Sequence, residues 1–372
     1  MWRASAQGAR LAEPSCGQLT QRGLASLGFR RSGRRRSPEQ QRATMTRLRL
    51  SIVMCTYNGS AFLQQQLDSL LAQTRLPDEI VIGDDASVDA TPALLQRFAE
   101  RARAQGIDVQ VQLNPRNCGY VENFSEGLRR ATGDILFLCD QDDVWQPAKL
   151  EQMAACFEAD PSLLLLHSDA RLVDGKGDPL GCSLFTALAM TAGELQAIHA
   201  GNAFDVVLRR SFVTGATAAF RRELVELALP VGAGWIHDEW LAAVAAAVGR
   251  LDVVDASLID YRQHGANQIG ARKRTLVMKW QDLLLPRGEL LSMEAGRLHG
   301  LEAFLQSLDS VAAKRNALRI QHKRLHFERR VRIGRLPPWR RAPAIAHEAR
   351  LGCYRLYGTG GRSMLRDLLR HG

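Results

Sequence analysis

The residues best suited to chemistry lie in three short runs, each at the end of an apolar stretch. The most acidic is Ile135-Leu136-Phe137-Leu138-Cys139-Asp140-Gln141-Asp142-Asp143-Val144-Trp145. Its apolar half reads as a buried strand, and three carboxylates follow within four residues. They stand at the carboxyl end of that strand, where open α/β sheets place their ligands. Three such charges repel one another, and no basic residue stands beside them in sequence. A divalent cation bound to a diphosphate would relieve the repulsion and supply the missing positive charge. A solvated acidic turn capping the next helix is the plainer reading of the same run. A second strand-like run, Ile80-Val81-Ile82-Gly83, ends in Asp84-Asp85-Ala86-Ser87-Val88-Asp89. A carboxylate there could accept the imide N–H of a uracil or thymine base, while Ser87 and Asp89 also suit the cap of the following helix. The third run, Cys55-Thr56-Tyr57-Asn58-Gly59, ends the first strand in turn chemistry and carries little by itself.

These runs sit in a pattern of alternating strands and helices, which predicts an α/β fold with a largely parallel sheet. Strands are expected over Leu50–Cys55, Glu79–Gly83, Ile107–Leu113 and Asp134–Cys139. Between them, helices are expected from Phe62 to Leu71, from Thr91-Pro92 onward, and from Asn123 to Arg130. Proline directly after a capping residue marks the start of the second helix. Further on, the pattern predicts a helix over Lys149–Glu158, strands over Leu163–His167 and Thr214–Phe220, an alanine-rich helix over Asp238–Val248, and a last strand over Leu258–Arg262. Beyond residue 271 the character changes to basic amphipathic helices broken by Pro337-Pro338.

Charge divides the chain in the same way. Its 372 residues carry a net +10, but that figure describes no part of it. Residues 1–46 hold nine arginines against Glu13 and Glu39, residues 271–372 hold 22 basic against 8 acidic groups, and the middle is acidic. The expected organisation is a disordered basic arm over 1–46, a catalytic domain over 47–270 and a basic, mainly helical extension over 271–372. Met45 offers a second start just before the structured part. No run reaches the roughly 18–20 apolar residues that span a bilayer, and the amino terminus lacks the apolar core of a signal peptide. The seven cysteines form no CxxC pair, so reduced thiols and a cytoplasmic setting are expected.

Taken together, Thr56-Tyr57-Asn58, Asp84-Asp85-Ala86-Ser87-Val88-Asp89-Ala90-Thr91 and Asp140-Gln141-Asp142-Asp143 resemble the motifs of family 2 glycosyltransferases of the GT-A fold. The resemblance continues through Thr214-Gly215-Ala216, His237-Asp238-Glu239-Trp240 and Tyr261-Arg262-Gln263-His264-Gly265, and covers about 47–270 in order. The last two motifs are similar to those of bacterial O-antigen and rhamnosyltransferase-type members. The resemblance implies a mostly parallel nucleotide-binding sheet flanked by helices. It also implies inverting transfer of a sugar from a nucleoside-diphosphate donor, of dTDP-rhamnose or UDP-hexose type, to a hydroxyl of a glycan or lipid-linked acceptor in cell-surface polysaccharide synthesis. It puts Thr56 and Tyr57 beside the nucleobase, Asp84 or Asp85 on its imide, and Asp140 near the ribose. Asp142 would hold a divalent metal, Mg2+ or Mn2+, with Asp143 as a second ligand. Asp238 would be the general base, with Glu239 as the alternative because the family's Glu-Asp pair is written here as His237-Asp238-Glu239. Arg262 and His264 suit the diphosphate, although His264 also suits a hydrogen-bonded loop.

Rival readings fit less well. Aspartate-nucleophile phosphatases place Asp-x-Asp after the first strand of the core, whereas three strand–helix units precede it here. A Rossmann dehydrogenase would need GxGxxG after the first strand, and a sugar-nucleotide pyrophosphorylase a Gly-rich phosphate loop. A non-catalytic glycosyltransferase-like binding protein would have no need of the acids. The basic pairs Arg272-Lys273-Arg274, Lys323-Arg324, Arg329-Arg330 and Arg340-Arg341 interleave with apolar residues. They suit either an anionic membrane surface on the inner face of the plasma membrane or a helical face packed on the catalytic domain. Nucleic acid is disfavoured because no recognised module accompanies the charge.

Overall fold

The computed structural model describes residues 47–264 and 288–369. The expected basic arm and Arg272-Lys273-Arg274 lie outside the described residues.

Strands β1 (Leu50–Thr56), β2 (Glu79–Asp84), β3 (Asp108–Leu113) and β4 (Ile135–Cys139) pair in parallel in the order β3-β2-β1-β4. Helices α1 (Leu63–Leu71), α2 (Thr91–Ala104) and α3 (Tyr120–Arg130) connect them. Every residue of β1, β2 and β4 is buried, as continuous apolar runs require in a sheet covered on both faces. The chain steps outward from β1 to β3 and then returns to the other side of β1 to form β4. That reversal opens a crevice at the carboxyl ends of β1 and β4. Thr56 lies in register with Asp84 and Met54 with Cys139, so all three motifs leave the sheet at one edge.

The sheet continues beyond β4 through β5 (Val144–Trp145), β6 (Leu163–Val173), β8 (Ala218–Arg221) and β9 (Arg250–Arg262), in the order β4-β8-β6-β9-β5, with β7 (Pro179–Ser183) on β6. Helix α4 (Lys149–Ala159) precedes β6. Strand β8 is antiparallel to both neighbours and β5 to β9, while β6 and β9 are parallel. The parallel expectation therefore describes the first half, and the second half is mixed. Strands β6 and β9 also run well past the expected Leu163–His167 and Leu258–Arg262. Register shifts at Leu163/Leu165, Ser168/Asp169 and Asp169/Arg171 break their alternation, and a bulge of this kind hides a strand from a period-two reading. The expected strand Thr214–Phe220 begins as a 3-10 turn over Gly215–Thr217.

Short helices α5 (Leu184–Ala187), α6 (Ala192–His199), α7 (Ala203–Val207) and α8 (Arg222–Ala228) lead to α9 (His237–Val248). The alanines of α9 let it pack closely, and its residues Leu241 to Ala247 are all buried. The carboxyl-terminal part is helical as expected: α10 (Gly288–Ser307), α11 (Val311–Gly334), α12 (Pro338–Arg350), α13 (Cys353–Leu356) and α14 (Gly361–Leu369). Ser310 caps α11 through the Ala313 N–H, and Pro338 opens α12. Helices α10 and α11 share a core with α9, in which Leu298, Leu301, Ala317 and Ile320 join Trp240 and Val244. Asn316 donates to the Ala247 carbonyl at 2.8 Å, and the Trp235 indole to the Arg297 carbonyl at 3.1 Å.

Much of the basic character of these helices is consumed internally. Arg324 bridges Glu302 and Glu328, Arg330 pairs with Asp367, Arg329 with Glu348, and Arg341 donates to the Leu336 and Gly334 carbonyls. Among the described residues, no helix is long and apolar enough to cross a membrane.

Candidate functional site

The acid loop after β4 is crowded and under-compensated. Asp140 is half-buried, and burial, with Asp142 and Asp238 nearby, pushes its carboxyl up to about 7. Asp143 is 1 % exposed, and burial together with Asp142 and Asp140 raises it well above the usual carboxylate range. Its Oδ1 accepts the Arg262 N–H at 2.9 Å, but its Oδ2 is buried without a hydrogen-bond partner. An orphaned buried carboxylate oxygen amid like charges is what a cation would satisfy. Asp142 Oδ2 lies 2.8 Å from His264 Nε2, and His264 stacks on Phe62 with centroids 4.6 Å apart. Carboxylate oxygens suit Mg2+ or Mn2+, whereas the imidazole beside them is a ligand for softer divalent ions than Mg2+. Among the described residues, the one trio of ligand atoms within 4.8 Å of one another is His326, Glu348 and Cys353, away from this loop in sequence.

Arg262, at the end of β9, braces this loop. Its guanidinium donates to the Asp142 carbonyl at 2.8 Å, the Gly175 carbonyl at 3.2 Å and Gln65 Oε1 at 2.7 Å, and lies over the Phe62 ring. The contacts of this side chain with the protein order the segment that carries Asp142 and Asp143.

On the β1–β2 side, Thr56 donates to Asp84 Oδ1 at 2.7 Å, and Asp84 also accepts the Ser87 hydroxyl and N–H. Asp84 is therefore occupied with its own turn, in which Ala86 takes a left-handed φ of 63°. Asp85, 3 % exposed, accepts the N–H groups of Cys118 and Gly119 and the Asn114 amide. Burial would raise its carboxyl, but these donors outweigh it and hold the group below the ordinary value. Tyr57 is exposed, and its backbone exchanges two hydrogen bonds with the Gln141 side chain. That clamp ties the β1 loop to the acid loop. A Cβ on Gly59 would collide with the Gln141 amide, which is why the turn there needs glycine.

Asp238 opens α9. Its Oδ2 accepts the Gly215 N–H at 2.8 Å and its Oδ1 the Glu239 N–H at 2.7 Å. Burial raises its carboxyl against those bonds. The turn that holds it, Gly215–Thr217, packs on β4, whose carboxyl end carries the acid loop, and the charge of Asp238 acts on Asp140 and on the Tyr120 phenol. His237 is buried and stacked on Phe124 at 4.5 Å. Glu239 turns the other way and pairs with Arg297 of α10, which also holds Glu294 at 2.7 Å. Successive helical residues point about 100° apart, so two neighbouring acids serve different surroundings.

Three participants escape sequence reasoning. Gln141 and Tyr120 carry no signal beyond their place beside the motifs. Lys149 is fully buried under the acid loop, 3.9 Å from the Trp145 ring centroid, and burial lowers its ammonium to about 7. It donates to the Ala216 carbonyl at 2.9 Å and so fixes the turn whose Gly215 N–H holds Asp238. As the first residue of α4 it reads as an ordinary helix-surface lysine.

Residues 51–227 match glycosyl transferase family 2. The chain is 28% identical over 229 residues to an uncharacterized glycosyltransferase of Nostoc sp., covering 59% of this chain and 66% of the relative. It is 32% identical over 147 residues to the uncharacterized glycosyltransferase YwdF of Bacillus subtilis, covering 38% and 51%. The chain thus spans less than two thirds of the length of these relatives. In fold it is similar to S. aureus TarS 1–349, a crystal structure in complex with UDP-GlcNAc, with a TM-score of 0.53, 17% identity and coverage of 86% of this chain and 91% of that one.

Proposed function

We propose, from the premise that residues 51–227 form a family 2 glycosyltransferase domain with the GT-A fold, that the chain transfers a sugar from a nucleoside-diphosphate donor to an acceptor hydroxyl with inversion. The observation that carries this reading is the placement of the acid loop at the carboxyl end of β4, on which packs the Gly215–Thr217 turn that holds Asp238 at the start of α9. Asp142 and His264, with Asp143 and its orphaned oxygen, would hold a divalent cation, Mg2+ or Mn2+, which supplies positive charge to the diphosphate. Asp85 and Thr56 are proposed for the nucleobase side with Asp84 and Tyr57, and Asp140 for the ribose. Arg262, offered for the diphosphate, supports it from behind by ordering the acid loop.

In the transfer, the acceptor oxygen bonds to the anomeric carbon as the bond from that carbon to the diphosphate oxygen breaks. Asp238 takes the acceptor proton. No protein nucleophile is required, so the configuration inverts. The buried setting of Asp238 makes its carboxylate more basic than an exposed one, while the two N–H bonds keep it aimed.

A dTDP-rhamnose or UDP-hexose donor, a glycan or lipid-linked acceptor and a role in cell-surface polysaccharide synthesis are the finer parts of the proposal. Peripheral attachment to an anionic membrane is supported by exposed Trp339, Leu351 and Leu356 standing in sequence beside exposed Arg340, Arg350 and Arg355. The test is a donor-hydrolysis screen over UDP-, dTDP- and GDP-sugars with and without Mn2+. Release of nucleotide from one donor class, dependent on the metal, is expected. No release from any donor, with or without acceptor extracts, would overturn the reading.

A further inference from the structure

Behind the first turn of α9 lies a cavity of about 370 Å3, walled by α9, the segment 207–213, and helices α10, α11 and α14. Trp235, Phe212, Leu298 and Phe327 give it apolar walls, and Glu239 stands at its edge. Its lining holds six cations, Arg209, Arg210, Arg297, Lys323, Arg330 and Arg366, against Glu239 and Glu294. Glu239 and Glu294 pair with Arg297 and their charge also acts on Lys323, while Arg210 and Arg330 pair with Glu194 and Asp367, so the wall keeps an excess of positive charge. Lys323 and Arg366 have no acid partner among the described residues. Lys323 is 9 % exposed, and its ammonium faces the Phe327 ring at 5.5 Å with no hydrogen-bond acceptor among the described residues. The Nε atoms of Arg297 and Arg366 are likewise buried without partners. Burying a cation and two N–H donors without acceptors is costly, and an anion in this cavity would supply acceptors to residues that line it.

We infer that this cavity binds a phosphate ester carried by the acceptor, with Lys323, Arg366 and Arg297 as its donors and the aromatic walls against the group it esterifies. The inference rests on the glycosyltransferase reading only for the word acceptor. Glu239, the residue after the proposed base Asp238, lines the cavity, so the cavity and the proposed base flank the same first turn of α9. Phosphate esters are multiply charged acceptors of hydrogen bonds, matching both the charge and the donor count of the wall. A lipid carrier and a phosphorylated glycan share this chemistry.

The test is calorimetric binding to the full chain of decyl phosphate, glucose 1-phosphate and decanol. One or both phosphate esters should bind at least about tenfold more tightly than decanol. Preference for decyl phosphate assigns the phosphate to a lipid carrier, and preference for glucose 1-phosphate to a glycan; either supports the site. Lys323→Met should weaken binding of the preferred ester by about tenfold or more, Lys323→Arg should restore it, and Arg97→Met, an exposed charge on α2 outside the cavity, should leave it within about twofold. Decanol binding as tightly as both esters, or Lys323→Met without effect in a protein that melts cooperatively, overturns the inference. Donor binding by the wild-type chain is measured separately. Ester binding without any donor binding would overturn the glycosyltransferase reading and leave the anion site standing, and the reverse result would do the opposite.

Discussion

Asp238→Asn separates the base from its neighbour. The change keeps the size of the side chain, but its one carbonyl oxygen can accept either the Gly215 N–H or the Glu239 N–H, while its amide faces the other. One of the two bonds at 2.8 and 2.7 Å is therefore lost, at about 1 kcal/mol. Removing a half-buried carboxylate from beside Asp140 offsets part of that, so the melting temperature should fall by no more than about 2–4 °C. Turnover, by contrast, should drop about 10²-fold or more, roughly 2.7 kcal/mol of barrier, with donor affinity nearly intact. Glu239→Gln breaks an ion pair whose side chains are 24% and 19% exposed. Arg297 keeps Glu294, so the loss is about 1 kcal/mol of stability, with turnover changed by less than about threefold. The assay pairs calorimetric donor binding in Mn2+ with steady-state turnover on a competent acceptor. If Glu239→Gln loses turnover and Asp238→Asn does not, the base lies one residue along. If neither loses it, the base has been sought on the wrong helix.

Three further outcomes are expected. Asp142→Asn should weaken donor binding in the presence of Mn2+ by about tenfold or more while leaving metal-free binding unchanged, since it removes a ligand; calorimetry with and without the cation reads this directly. Lys149→Met should lower kcat by about tenfold with little change in the donor KM, because it frees the turn that aims Asp238 and acts through that residue; a matching rise in KM would show that Lys149 serves donor binding instead. Lys323→Met should raise stability at pH 7 by up to about 3 kcal/mol, because burial lowers the ammonium from 10.5 to about 8. In that window the unfolded chain holds a proton that the native one lacks, so wild-type stability rises with pH and the difference between the two proteins should shrink from pH 8 to 10.5. Urea unfolding at pH 7 and pH 10 checks the sign, and a pH-independent difference would contradict it.

What the sequence made legible follows the physical range of each signal. Strands β1, β2 and β4 were readable as apolar runs ended by polar residues and β3 by the alternation of Val109 and Val111 with Gln110 and Gln112, and the acids after β2 and β4 were readable because like charges in sequence stay neighbours in space. Strands β6 and β9 were half-readable, since their bulges and buried polar residues such as His167, Asp169 and Asp252 interrupt the apolar pattern. Helix α6 had a signal that the periodicity reading passed over: Thr191 and Glu194 form a reciprocal capping box. Other features had none. Lys149 acts through a carbonyl 67 positions away, and Arg297 chooses Glu239 over Asp238 from 58 positions away. The one-residue ambiguity at His237-Asp238-Glu239 is of this kind. Side-chain type cannot resolve it, because both acids open the same helix and share its dipole. Their environments differ and support the proposal for Asp238: one carboxylate is held by backbone donors and carries no ion pair among the described residues, while the other is paired with an arginine from a helix that sequence analysis assigned to a separate basic extension. A base must be able to change its charge during the reaction, and a carboxylate locked to Arg297 would have to break that pair each time it took a proton. On the proposed reading, the carboxyl-terminal helices take part in defining the site, because Arg297 pairs with the second of the two candidate bases.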